Sequence, residues 1–396
     1  MLGLLLFLSV ASAKVHHFYV GQLASTALHA LELDDELRTL VEMGIIPTIT
    51  ANPSLAIDHS KKFLFTSSPQ DGSLTKYAIQ ADYSLITEGN ATIPASCNTT
   101  AFSTLHITPS NQAPYSIYGS ASTGNCSVLF STSVSGFKSL RSKEFAGDIR
   151  SLAWSPNGRH LHALDSHASQ SAATSIFNFY ISEDSTLNDQ NQTDILANVT
   201  NAEQMVTHPT GNLVYVVTKD TNELVTIPLQ GAAAPASPSR FKILPSSMDA
   251  TQFKTDSLTI SSSKNSLWTL SQSPSQVVVT VFSLDATTGA VINAVARAGW
   301  TGDGGFFTGQ ISPAPFVGND IVAVTNSPVG YTAFIGLDQG TTVMGEEGDV
   351  KVASDEFLED VWMLNVKSDA AAAPKLKSYG RIDLAFDSLG EGVWVD

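Results

Sequence analysis

The sequence predicts an all-β fold, a seven-bladed β-propeller closed by strands from both ends of the chain. Three observations lead there. Helical periodicity is nearly absent across the 396 residues. Short runs rich in Val, Ile, Phe, Tyr and Thr instead alternate with Gly, Ser, Pro and Asn clusters, the pattern of strands and turns. One phrase, a small or polar residue with an apolar pair, then a turn and a second strand, recurs roughly every 50 residues, the period of a four-stranded blade.

Taken in order, the chain opens on an apolar run, Leu2 to Val10, too short to span a bilayer. Ala11-Ser12-Ala13 follows, a small-residue site of the kind signal peptidase cuts. The expected organisation is therefore a signal peptide over 1–13 and one propeller domain over 14–396. A buried first strand is the alternative reading of that run. Val15 to Val20 and Thr26 to Leu33 are strand-like pieces that belong to no full repeat. The repeats then read Ser54-Leu55-Ala56-Ile57, Leu105-His106-Ile107, Ser151-Leu152-Ala153-Trp154, Met205-Val206-Thr207, Ser257-Leu258-Thr259-Ile260 and, more loosely, Gln310-Ile311-Ser312. Pro156-Asn157-Gly158 and Pro209-Thr210-Gly211 supply tight turns into the second strand. The end, Val393-Trp394-Val395, is expected to join the N-terminal pieces in one shared blade, which removes free sheet edges. The alternative is an open β-sandwich array. No linker interrupts the period, which argues against two domains. The Ala-rich stretches Gly231 to Ala236 and Ala370 to Ala373 are expected in outer loops.

Composition narrows the function classes. Apolar residues make up 43% and charged residues 15%, which excludes a disordered chain. Lys and Arg number 21 against 37 Asp and Glu, a formal net charge of −16. Nucleic acid is excluded as a partner, since phosphate contacts need clustered cations. Docking on anionic membranes is disfavoured for the same reason. No stretch is long and apolar enough for a transmembrane helix, and the tail is no GPI signal. A secreted protein, extracellular or in the cell wall, is the expected destination.

Secretion sets the reading of the two cysteines. Cys97 and Cys126 have only each other, and an oxidising route favours a disulfide. Two buried free thiols are the alternative. Asn90, Asn98, Asn125, Asn191 and Asn198 each begin an N-x-S/T glycosylation triplet.

No nucleophile elbow, zinc helix or phosphate-cradling loop occurs, so no cofactor is expected. Gly302-Asp303-Gly304-Gly305 lacks the βαβ surroundings of a dinucleotide site. His16 and His17 are adjacent on a strand and so point to opposite faces, which argues against a metal. The acidic run from Glu346 to Asp360 lacks calcium-loop spacing and reads as a solvated insertion.

The residue opening each innermost strand is well placed to line a propeller's channel. The register of the repeats puts Pro53, Ser103, Arg150, Glu203, Asp256 and Phe307 there. Three charges at equivalent places in consecutive repeats are unusual in a chain with few charges. The candidate pocket is Arg150, Glu203, Lys219, Asp256 and Gln272, and the alternative is a set of exposed loop charges.

His208-Pro209-Thr210-Gly211-Asn212 with Tyr215-Val216-Val217, the opening His17-Phe18-Tyr19-Val20-Gly21 and the ending Gly392-Val393-Trp394-Val395-Asp396 carry a further clue. In these phrases the chain resembles the seven-bladed lactonase family, which includes fungal carboxy-cis,cis-muconate cyclases and bacterial 6-phosphogluconolactonases. The resemblance implies the same fold over nearly the whole mature chain and, if active, an intramolecular lyase or lactone hydrolase. The cyclase catalytic residues do not carry over. Where the cyclases have a His before the third inner strand, this sequence has Arg150; where they have an Arg ahead of the His-Pro, it has Glu203. Their Glu after the second strand is Lys219 here, and a second Arg one blade on is Gln272. A tricarboxylate needs cationic clamps, and a glutamate repels it. Two classes follow: a secreted propeller without cyclase activity that binds a small molecule or extracellular ligand, as an antigen or adhesin, and an enzyme of altered lactone specificity.

Overall fold

The computed structural model describes residues 14–23, 25–49, 54–68, 72–93, 104–107, 116–120, 126–131, 138–144, 149–158, 160–165, 174–181, 187–196, 199–229, 238–301, 310–316, 320–325, 327, 329–338, 362–363, 374–384 and 388–396. Within them the fold is an all-β propeller, and the strands form seven antiparallel sheets. The innermost strands are Ser54–Ile57, Thr104–Ile107, Ile149–Trp154, Ala202–Thr207, Lys254–Ile260, Gln310–Pro313 and Leu389–Trp394. We number the sheets one to seven in that order. Each inner strand neighbours the next, and the last neighbours the first, so the sheets close a ring.

Sheet seven contains both chain ends. Leu389–Trp394 pairs with Val15–Gln22, which pairs with Ala27–Asp34 and then Thr39–Pro47. The C-terminus is latched beyond that ladder. Val395 donates its N–H to the His17 carbonyl at 2.9 Å. His17 returns its N–H to Asp396 Oδ1 at 2.6 Å, and its ring Nδ1 meets Asp396 Oδ2 at 2.7 Å. Sheet six takes its outer strand, Lys375–Asp383, from beyond a long excursion, and sheet five gains a fifth strand at Trp362–Met363.

The core lies between sheets. Trp268, Leu270 and Val279 of sheet five pack on Ile311, Val322 and Val324 of sheet six. Phe18 and Trp394 of sheet seven pack on Phe334 of sheet six, with ring centroids 5.0–5.4 Å apart in edge-to-face geometry. Both faces of the sheets are therefore covered, and second strands such as Leu213–Thr218 and Asp320–Thr325 read as apolar runs rather than alternations.

Equivalent turns join the first two strands of several sheets. His208 and Gly211 close one, with the Gly211 N–H on the His208 carbonyl at 2.8 Å and Gly211 at φ +78°. Ser155 and Gly158 close another, at φ +65°. Glycine suits both because the left-handed region excludes most side chains. Lys61 (φ 59°) and Lys264 (φ 65°) hold the same place in sheets one and five.

A ring of side-chain acceptors stitches the inner strands, which share no backbone ladder. Ser151 Oγ accepts from Met205 N–H at 3.1 Å, and Gln204 Oε1 from Leu258 N–H at 2.6 Å. Ser257 Oγ accepts from Ile311 N–H at 3.1 Å, and Gln310 Oε1 from Gly392 N–H at 3.2 Å. Glu391 Oε2 carries the series from the last inner strand to the first, on Leu55 N–H at 3.0 Å. Four of these residues fall in steps of 53, at 151, 204, 257 and 310. Gln310 is the equivalent of Ser257. Pro53, Ser103 and Phe307, the other residues placed at strand openings by the repeats, lie outside the described residues.

Residues 1–13, Cys97, Asn98, Asn125, Asn198, the Ala-rich stretches, Gly302 to Gly305 and the acidic run lie outside the described residues. Of the remaining glycosylation candidates, Asn90 is exposed on the strand Leu85–Thr92, and Asn191 lies on the strand Leu187–Leu196. Cys126 begins the strand Cys126–Ser131. No helix among the described residues is long and apolar enough to cross a membrane.

Candidate functional site

The inner strands of sheets three, four and five each begin with a bulge, one extra residue facing a single partner residue. In sheet three the pairing skips from Ile149 to Ser151, in sheet four from Ala202 to Gln204, and in sheet five from Thr255 to Ser257. The skipped residues are Arg150, Glu203 and Asp256. Each is thus freed from the ladder at the same end of its strand, and a bulge re-aims its side chain.

The structure brings these three together through Lys219. Arg150 Nη1 lies 3.8 Å from Glu203 Oε1, Lys219 Nζ lies 3.2 Å from the same oxygen, and Lys219 Nζ lies 3.3 Å from Asp256 Oδ1. The result is a chain of alternating charge across three sheets. Lys219 follows the strand Leu213–Thr218 and is held by its own backbone: its N–H donates to Asn201 and its carbonyl accepts from Thr255. Gln272 takes the equivalent place one sheet on, at the end of Ser266–Gln272 opposite Lys254. Among the described residues it is not joined to the ion-pair chain.

Burial decides the electrostatics. Glu203 and Asp256 are 9% and 8% exposed, while the cations reach solvent. Desolvation pushes the Asp256 carboxyl up to about 6, Lys219 opposes the rise, and the Glu203 charge adds to it. Burial works against the Lys219 ammonium, but Asp256 and Glu203 outweigh it and hold its pKa above the ordinary lysine value. Glu203 Oε2 is buried and has no hydrogen-bond partner among the described residues.

Sequence reasoning missed the surrounding support. Asp220 binds Lys254 and Asn201 next to the chain, and these contacts hold the Asp220 carboxyl below the usual range despite partial burial. A cleft of about 620 Å³ opens at the same end of sheet five, lined in part by Met248, Asp249, Phe253, Ser273 and Gln276. Only contacts between sheets reveal these neighbours, and no sequence spacing encodes them. Among the described residues no group of three or more His, Cys, Asp or Glu is arranged to hold a metal ion. His16 stacks on Phe316 at 3.5 Å, and His17 stacks on Tyr83 at 3.5 Å, so the two histidines do face opposite neighbours.

No protein-family model matches the chain. No curated protein matches it either. Solved structures do. The periplasmic gluconolactonase of Pseudomonas aeruginosa superposes with a TM-score of 0.70 at 12% identity, covering 97% of this chain and 99% of that one. A candidate 6-phosphogluconolactonase from Bacteroides fragilis gives 0.65 at 14% identity, covering 93% and 99%. A Lactobacillus plantarum protein gives 0.63 at 12% identity, covering 92% and 99%. At such identities the likeness establishes the propeller fold.

Proposed function

We propose that this chain is a secreted, seven-bladed propeller of the lactonase type that binds a small polar molecule at the channel mouth and does not cyclise carboxymuconate. One observation carries the reading: Arg150, Glu203 and Asp256, freed by equivalent bulges, converge with Lys219 in one partly buried cluster. Structural charges alone do not need equivalent bulges in three successive sheets. The four charges sum to zero, so the cluster offers a tricarboxylate no net attraction, and its two carboxylates repel one. The full-length likeness to lactonase propellers supports the ligand being a small molecule.

A second reading is favoured by Asp256. A carboxyl titrating at about 6 and touching Lys219 is matched to general-base work near neutral pH. In a lactone hydrolase Asp256 would take the proton of the attacking water, and Lys219 would stabilise the oxyanion. Calorimetric titration and turnover assays with carboxymuconate and a panel of neutral lactones test both readings. Saturable binding without turnover supports the first, lactone hydrolysis lost in Asp256→Asn supports the second, and carboxymuconate turnover overturns both. Export is proposed alongside, with the chain starting near Lys14 and Cys97 paired to Cys126. Intact mass and thiol titration of secreted material check it.

A further inference from the structure

We infer that the cleft at the mouth end of sheet five is a second small-molecule site, and that it takes an organic cation with an apolar body, of the arylalkylamine kind, whose ammonium meets Asp249. The cleft holds about 620 Å³, within the range of small-ligand pockets. None of Arg150, Glu203, Lys219 and Asp256 lines it, so it stands apart from the charge chain. Its walls are built in advance. Buried Asn222 donates through Nδ2 to the carbonyls of Ala250 at 3.0 Å and Phe253 at 3.1 Å, and its Oδ1 accepts from the Thr255 hydroxyl at 2.8 Å. One asparagine thus fixes the segment that carries Met248, Asp249 and Phe253. In the other wall segment, Ser273 donates its N–H to the Gln276 carbonyl at 2.8 Å, and the Gln276 N–H returns to Ser273 Oγ at 3.0 Å. Walls held by their own hydrogen bonds leave a ligand little ordering to impose.

The lining selects the ligand. Met248, Phe253 and Pro274 give the cleft apolar surface. Phe253 is continuous with the core through Leu244 and Val278, so this surface is fixed. Asp249 is the one charged residue among the described residues that line the cleft, and the remainder are serine and glutamine. Thr251 donates its N–H at 3.1 Å and its hydroxyl at 2.6 Å to Asp249 Oδ1. Those bonds hold the carboxyl below its ordinary range, so it is an anion at neutral pH. Lys254, next along the chain from Phe253, is engaged with Asp220. An anionic ligand therefore finds no cation in the lining, and the net charge of −16 repels it from a distance. The same field favours a cation, and a carboxylate beside apolar surface suits an ammonium on a hydrophobic body.

The test is calorimetric titration of the full chain with benzylamine as the probe. Benzyl alcohol is the neutral isostere, and benzoate is the anion of the same body. The expected result is saturable binding of benzylamine, roughly threefold tighter than benzyl alcohol because Asp249 is exposed, with benzoate weakest. Asp249→Asn should abolish the preference for the amine, and asparagine caps a turn as aspartate does, so the wall is kept. Gln276→Lys, which adds a cation to the lining, should weaken benzylamine and leave benzyl alcohol unchanged. Equal binding of amine and alcohol, or benzylamine binding unchanged in both variants, overturns the inference. Benzylamine binding lost in Asp256→Asn but kept in Asp249→Asn also overturns it, and places the probe in the charge chain. Binding by none of the probes overturns it and leaves the reading of the channel mouth as it stands.

Discussion

Glu391 Oε2 accepts the Leu55 N–H at 3.0 Å, and this bond joins the last inner strand to the first. The equivalent bonds elsewhere in the ring use Ser or Gln. Of the five such bonds among the described residues, only this one uses an acid. Burial pushes the Glu391 carboxyl up to about 8, with the Leu55 N–H opposing. The side chain is thus a neutral acid across most of the physiological range and resembles the glutamines at 204 and 310.

The sign of the pH effect follows. A glutamic acid whose folded pKa lies above its ordinary value stabilises the fold fully below about pH 4.5, and that contribution is lost as pH rises through about 8. The slope is at most about 1.4 kcal/mol per pH unit. Glu391→Gln should remove this dependence while keeping an acceptor on Leu55. Thermal midpoints from pH 5 to 9 are the measurement. The wild-type curve should fall relative to the variant's across that range, and parallel curves contradict the assignment.

The propeller was readable from the sequence because one local phrase repeats. The shared sheet seven was readable because the strand-like pieces at the two ends had no partner within their own segments. The acceptor ring was not, since Ser, Gln and Glu at one position look like variation until Met205, Leu258 and Leu55 are seen to donate to them. The site was half readable. Arg150, Glu203 and Asp256 stood out by register, but that Gln272 is not joined to the ion-pair chain, and that Asp220 and Lys254 support it, depends on contacts between sheets.

Closing the ring through the C-terminus makes that end structural. Trp394 packs on Phe18, Phe316 and Phe334 and donates its indole N–H to Ser312 at 3.2 Å. Trp394→Ala should cost about 3–5 kcal/mol, the range for a large buried aromatic. Removing Val393 to Asp396 should cost more, since it also breaks the His17 latch and exposes strand edges. Urea midpoints measure both, and a deletion that leaves the midpoint unchanged refutes the closure.

Lys264 offers a gain. Its φ of 65° is the conformation that Gly158 and Gly211 supply in the equivalent turns. Lys264→Gly should stabilise by a few tenths to about 1 kcal/mol, because relief of left-handed strain outweighs the added freedom of the unfolded chain. A fall in the urea midpoint would show that the lysine side chain contributes more than its backbone costs.

Lys219 is the hub of the mouth, and removing it should be felt. Lys219→Met leaves Glu203 and Asp256 as two buried carboxylates without their shared cation. The loss should be about 1–3 kcal/mol, below the range for fully buried pairs because Lys219 reaches solvent. Lys219 holds the Asp256 pKa down to about 6, so in the variant Asp256 titrates higher, and the deficit should shrink as pH falls towards about 6. A deficit that does not change with pH would mean that Lys219 acts by packing.

The native protein should show no detectable turnover of carboxymuconate. The resemblance places a proton-transferring His where Arg150 stands and a cationic clamp where Glu203 stands. Each is a loss of a different kind. Glu203 in place of an Arg reverses a charge beside the substrate, worth a few kcal/mol even at an effective dielectric of about 20, and each 1.36 kcal/mol is tenfold in rate. A guanidinium is no substitute for an imidazole as the group that takes a proton. The double variant Glu203→Arg with Lys219→Glu would restore part of the charge pattern and no proton-transfer group, so it should remain inactive. Adding Arg150→His supplies the proton-transfer group, and the triple variant is the first in which turnover should become measurable. Activity in the native protein or in the double variant would show that the proton moves through another residue, and Asp256, poised at about 6, would be the one to replace next.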